Sequence, residues 1–118
     1  MANRYVSQEE RPWEVRDIVG MPMEMAELWN DGNCSARVVK MFRGKGFGIH
    51  RHDTWVMVFV LSGELRVIPD DRVVGPGGFY FVEPGTDHDE IGAEDEDTTV
   101  LVIRDEPNKQ YPVSGADH

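Results

Sequence analysis

The chain reads as all-β, and three observations predict it. Twelve glycines and seven prolines divide its 118 residues into short pieces. Between them lie runs rich in Val, Ile, Phe, Tyr and Trp, which favour the pleated, half-buried surface of strands. No window carries a convincing helical period. About eight to ten short strands at regular spacing point to a sandwich or a barrel. The length suits one domain, residues 1–118, and a chain of this size buries roughly two-thirds of its unfolded surface.

Met23 to Trp29 alternates, with Met23, Met25 and Glu27 on one face and Glu24, Ala26 and Leu28 on the other. Ala36 to Phe42, Trp55 to Leu61, Glu64 to Ile68, Gly78 to Val82 and Thr98 to Ile103 are the other clear strand candidates. Ser62-Gly63 joins two of these runs at a spacing suited to a tight hairpin. Pro69-Asp70-Asp71 and Gly75-Pro76-Gly77-Gly78 are turn signals. Trp55 to Leu61 is apolar on both faces, so both need cover. A barrel interior covers one face and a second copy of the chain the other, which predicts a homodimer. Residues 105–118 are polar, carry two prolines, and read as a loose tail or a short packed arm.

Charge narrows the partners. Twenty-two acidic side chains face twelve basic ones, a net charge of −10. That argues against nucleic acid and against anionic membrane, whose phosphates are met by positive charge. No run approaches the ~18 apolar residues of a membrane span. Met1 to Glu10 lacks a stretch of signal-peptide character, so cytoplasm is the expected compartment. The single cysteine, Cys34, forms no internal disulfide, and no histidine near it in sequence suggests a nucleophile.

Chemistry concentrates in the histidines. Of four, His118 is the last residue, and the others are His50, His52 and His88. His50 and His52 are spaced i, i+2, so on a strand both point to one face. A lone inward histidine is usually a hydrogen-bonded core residue. Two on one face each need a partner, and one shared metal ion satisfies both. His88 adds a third ligand if its strand lies alongside.

The surrounding glycines carry a family pattern. Gly44, five residues, His50, one residue, His52 and then Gly63 resembles the first motif of the cupin superfamily, and Val60-Leu61-Ser62-Gly63-Glu64-Leu65 is similar to its hairpin segment. Gly77, seven residues, Gly85, two residues, His88 resembles the second motif. The resemblance spans about residues 12–104 and implies a jelly-roll β-barrel, a double-stranded β-helix. It implies one divalent metal ion on His50, His52 and His88. The family's usual glutamate ligand is replaced by Val56, so germin-like and sugar-isomerase activities are not expected, nor a carboxylate among the ligands. Three-histidine sites of this kind resemble those of acetylacetone-cleaving and dihydroxyacetophenone dioxygenases. Arg11 to Trp29 also resembles the sensor-type cupins of anti-sigma factors.

Three neutral imidazoles leave a divalent ion its full charge and up to three adjacent open positions, which suits a chelating enolate or hydroxyketone. The resemblance therefore implies a small dioxygenase acting on a diketone or hydroxyketone with Fe(II). A non-oxidative lyase, isomerase or cyclase using Zn, Ni or Mn is the alternative, as is a metal- or ligand-binding sensor. A sensor would be expected with a fused regulatory domain, for which this length leaves no room. Trp55, Phe59 and Phe81 are candidate walls of the substrate pocket. Tyr80, if inward, would bond a substrate oxygen, although strand parity does not say which of Phe79, Tyr80 and Phe81 faces in. Glu90, two residues beyond His88, would share its inward face as a partner or general base. The acidic segment from Asp87 to Asp97 reads as a solvated loop whose charge would favour neutral or cationic substrates.

Overall fold

The computed structural model describes residues 3–18, 21–46 and 48–112, so His118 and the end of the tail lie outside the described residues. After a short 3-10 turn, Gln8–Glu10, come the strands β1 (Trp13–Ile18), β2 (Met21–Asn30) and β3 (Cys34–Met41). Next are β4 (His50–His52), β5 (Val56–Ser62), β6 (Leu65–Ile68) and β7 (Arg72–Val74). The chain continues through β8 (Phe79–Val82), β9 (Asp89–Gly92), β10 (Thr98–Asp105) and β11 (Gln110–Pro112). No helix among the described residues is long and apolar enough to cross a membrane.

The larger sheet has the order β1-β2-β3-β10-β5-β8, every pair antiparallel. Opposite it lies β7-β6-β9. The bridges Gly46↔Ile91 and His50↔His88 continue this second layer to β4, which pairs with β11. The two layers close over one core, as in a jelly-roll barrel. Its wall on the larger sheet is Met23 and Met25 from β2, Val39 and Met41 from β3, Val56, Val58 and Val60 from β5, Val82 from β8 and Val100 from β10. Leu65 and Val67 of β6 close it from the other layer. Burying an aliphatic side chain of this kind contributes about 1.5–3 kcal/mol, and the core collects that from both sheets.

One expectation changes. Ser62-Gly63 is not a hairpin, because β5 pairs with β10 and β8 while β6 pairs with β7 and β9. It is the corner where the chain leaves one sheet for the other. Gly63 has φ +78°, and a Cβ there would lie 2.6 Å from Thr98 Oγ1 and 2.7 Å from the Asp97 carbonyl oxygen. The tight spacing reflects this close approach to the start of β10. The described part of the tail is the short packed arm: β10 extends to Asp105 and β11 packs on β4, with Gln110 opposite His52 and Pro112 opposite His50.

Candidate metal centre

β4 is three residues long, and its alternation buries His50 and His52 while Arg51 faces solvent. Outside, Arg51 Nε meets Asp87 Oδ1 at 3.0 Å. Inside, His88 is held directly against His50 by a pair of backbone hydrogen bonds, His50 N–H to the His88 carbonyl at 2.8 Å and the reverse at 2.9 Å. Ring centroids are 4.3 Å apart for His50 and His88, 5.1 Å for His50 and His52, and 5.2 Å for His52 and His88. One ring nitrogen from each lies within 4.8 Å of the other two.

The Nδ1 atoms have acceptors on the protein. Gly48, at φ +82°, presents its carbonyl 2.7 Å from His50 Nδ1. Asn108 Oδ1 lies 3.2 Å from His52 Nδ1, and the amide is oriented by Asn108 Nδ2 donating to the Trp55 carbonyl at 3.3 Å. Glu90 Oε1 is 2.6 Å from His88 Nδ1. A carbonyl or carboxylate only accepts, so each Nδ1 carries the proton and each Nε2 becomes the lone-pair nitrogen, the form a metal takes. Burial holds His50 below the usual histidine range, against the pull of Glu90. Burial likewise brings His52 down to about 4, with the neighbouring His50 and His88 acting in the same direction. Both rings are therefore neutral at pH 7.

Glu90 is buried between these rings, as its spacing from His88 suggested. Burial pushes its carboxyl upward, but the hydrogen bond with His88 and the surrounding imidazoles outweigh it and leave it lowered. Its Oε2 stands 3.6 Å from His50 Nε2. Two ligand atoms, each about 2.1 Å from one ion, lie up to about 4.2 Å apart, so this oxygen is within reach of an ion on His50. Val56 leaves the family's usual glutamate position apolar, and Glu90 brings a buried carboxylate from β9 beside the three histidines.

A cavity of about 370 Å³ opens on His50, His52 and Glu90. Its apolar wall is Val39, Met41, Val56, Val58, Leu65 and Val100. Trp55, Phe59 and Phe81, expected as pocket walls, do not line it. Trp55 precedes β5 and contributes its carbonyl to Asn108. Phe59 and Phe81 fall on the outer face because Val56, Val58 and Val82 take the inward positions of β5 and β8. Tyr80 points inward but is not part of the cavity lining. Its hydroxyl lies 3.3 Å from His88 Nδ1, where it supports that ring. Burial and the nearby Glu90 push its phenol upward, so it stays protonated. The acidic segment is not a single loop. Asp89 and Glu90 are buried in β9, Glu94 to Asp97 are exposed, and none of those four borders the cavity. Asn108, together with the cavity residues Arg16, Arg37, Arg104 and Gln110, was not singled out by the sequence. Arg37 and Arg104 sit in alternating strands where an arginine normally marks the solvent face.

The donor set fits a divalent ion on an observation internal to the protein. His88 Nε2 is buried and has no hydrogen-bond partner. Such an atom loses its hydration with nothing in return unless a ligand takes its lone pair. Three imidazoles converging on one point, each oriented through Nδ1, form a cluster inside a β-barrel that could hold a metal ion. The family model described as "Cupin domain" matches residues 37–104, more than half of the chain, and the protein belongs to that family. Solved structures agree on the fold. An RmlC-like cupin protein from Ralstonia eutropha superposes with a TM-score of 0.81 at 16% identity, over 100% of this chain and 76% of that one. The polyketide cyclase RemF from Streptomyces resistomycificus gives 0.75 at 16% identity, over 98% and 89%. A chain of the Rhodobacter sphaeroides complex of SigE with the anti-sigma ChrR gives 0.68 at 21% identity, over 82% of this chain and 51% of that one. A comparison with curated protein sequences gives no match.

Proposed function

We propose that the protein is a metal-dependent enzyme in which His50, His52 and His88 hold one divalent ion, and that it acts as a dioxygenase on a small diketone or hydroxyketone with Fe(II). A divalent ion there supplies a positive centre for both oxygens of a chelating substrate and, as Fe(II), electrons for O₂. The protein supplies the rest. Asn108, the Gly48 carbonyl and Glu90 fix the three rings. The valine-rich wall excludes bulk water.

The observation that carries the reading is the position of Glu90. A buried carboxylate beside the three histidines would accept at Oε2 the acidic proton of an enolisable substrate. The same placement favours a second reading, a non-oxidative lyase, isomerase or cyclase, in which Glu90 returns the proton to another atom of the substrate. Fe(II) and Zn(II) forms compared on one panel of diketones and hydroxyketones separate the two. Zinc has no redox cycle. Oxygen consumption confined to the Fe(II) form is expected; equal turnover with zinc, or turnover under nitrogen, establishes the second reading instead. Tight ligand binding without turnover in either form would leave a sensor.

A further inference from the structure

The cavity that opens on the histidines carries guanidiniums deep in its wall. The inward row of β3 runs Met41, Val39, Arg37, and that of β10 runs Val100, Val102, Arg104. The antiparallel register sets Arg37 opposite Val102 and Arg104 opposite Ser35, so both apolar rows end in arginine at the same end of the sheet. Neither side chain is a surface arginine, since Arg37 is 12% exposed and Arg104 19%. One buried carboxylate serves both: Glu106 Oε2 is 3.0 Å from Arg104 Nε and 4.0 Å from Arg37 Nη2. Glu27, 3.9 Å from Arg37, is half exposed. The remaining contacts of Arg37 are neutral, with Ser35 Oγ at 3.3 Å and Met25 Sδ at 3.6 Å.

The donors are not all used. Arg37 Nε and Gln110 Nε2 are both buried without a hydrogen-bond partner, and both residues line this cavity. A buried N–H left unpaired costs free energy, and a buried cation needs a counter-charge. The two guanidiniums share the buried Glu106, and the second carboxylate near Arg37, Glu27, is half exposed, so compensation inside the cavity is partial. Burial, reinforced by the like charge of Arg104, holds the Arg37 guanidinium below its ordinary range, the sign of incomplete compensation.

We infer that Arg37 and Arg104, with Gln110, bind a carboxylate carried by the same small molecule whose oxygens meet the histidine centre. The substrate class is thus a chelating diketone or hydroxyketone that also bears an acid group, which rests on the metal-dependent reading above. A guanidinium fork matches a carboxylate with two parallel hydrogen bonds, and in a dry cavity such bonds are strong. The expectation of a neutral or cationic substrate came from the acidic segment Asp87 to Asp97, of which only Glu90, beside the histidines, lines this cavity.

Hydroxamates test both ends of the cavity. The full chain, loaded with Co(II), is titrated with monohydroxamates of dicarboxylic acids from malonic to adipic, each beside the uncharged alkyl hydroxamate of equal length, following the cobalt absorption. One acid of the series is expected to bind at least about tenfold tighter than its uncharged match, the effect of a charge-assisted pair. That advantage should disappear in Arg37→Gln and in Arg104→Gln, with the uncharged hydroxamate unaffected. Glu106→Gln, which removes the competing carboxylate, should instead tighten the acid, a change that loss of folding would not produce. If uncharged hydroxamates bind but no acid gains, the arginine site is overturned and the metal reading stands. If no hydroxamate perturbs the cobalt spectrum, the metal reading fails. The metal-free protein then decides by calorimetry with glutarate: saturable binding lost in both arginine variants supports the site, and no saturable binding overturns it.

Discussion

At the scale of single residues, burial and proton placement decide what the histidines do. His52 is neutral because desolvation opposes its charge, and Asn108 directs its proton to Nδ1. This has a measurable consequence for the metal-free protein. In the unfolded chain a histidine takes up a proton near pH 6.5, whereas folded His52 does so at about 4. Between those values the unfolded state binds more protons, so stability is present above the unfolded value and is lost as pH falls toward the folded one. His50, also lowered by burial, adds to the same trend. Denaturation of EDTA-treated protein should show a midpoint that is flat from pH 7 to 8 and declines from about pH 6.5 to about 4. A midpoint unchanged between pH 7 and 5 would show that these rings are not buried in neutral form.

At the scale of elements, short strands and close glycines place the site. β4 holds its two histidines inward by simple alternation, and its neighbours β11 and β9 bring Asn108, Glu90 and His88 to them. The corner at Gly63 lets β5 pass into the opposite sheet against Thr98, whose Oγ1 donates to the Glu64 carbonyl at 2.8 Å and accepts from the Ala93 N–H at 3.2 Å. Gly63→Ala adds a methyl group at 2.6 Å from that oxygen and forces a non-glycine residue to φ +78°. The backbone conformation alone costs about 1–2 kcal/mol, and the contact adds to it. Thermal unfolding should drop by several degrees or more for a chain of this size. The same substitution at Gly32, where φ is +87° but nothing lies within 4 Å, should cost only the backbone part. Equal losses at the two positions would remove the close-approach account of Gly63.

At the scale of the whole molecule, the outer face of the larger sheet carries the aromatics that the cavity does not use. Phe59 and Phe79 are cross-strand partners with ring centroids 5.0 Å apart, and Met57 opposes Phe81. Phe79 is 51% exposed, Phe81 45% and Leu61 42%. β8 is also the edge of its sheet, with one side of its backbone unpaired within it. We propose that a second copy of the chain covers this face, since a self-complementary apolar patch closes a symmetric dimer. Sedimentation should give twice the mass of the chain, and Phe81→Glu should yield a monomer with unchanged circular dichroism. A monomeric wild type at all concentrations would refute it.

What was legible in the sequence was set by local rules. Alternation and β-branched runs located β2, β3, β5, β6, β8 and β10, and the i, i+2 histidines needed only strand geometry to share a face. The same parity suggested Glu90. Long-range register decided the rest. Whether Phe59 or Val58 faces inward depends on which strands β5 pairs with, and a shift of one residue exchanges the faces. Asn108 and Gln110 sit in a polar segment whose composition resembles a tail, and they reach the site only because β11 pairs with β4. Arg37 and Arg104 look like solvent-facing residues of ordinary strands until the two sheets close over them. Residue identity fixes local geometry and proton chemistry, but a cavity is made by contacts between residues far apart in the chain, and those are settled by packing of the whole.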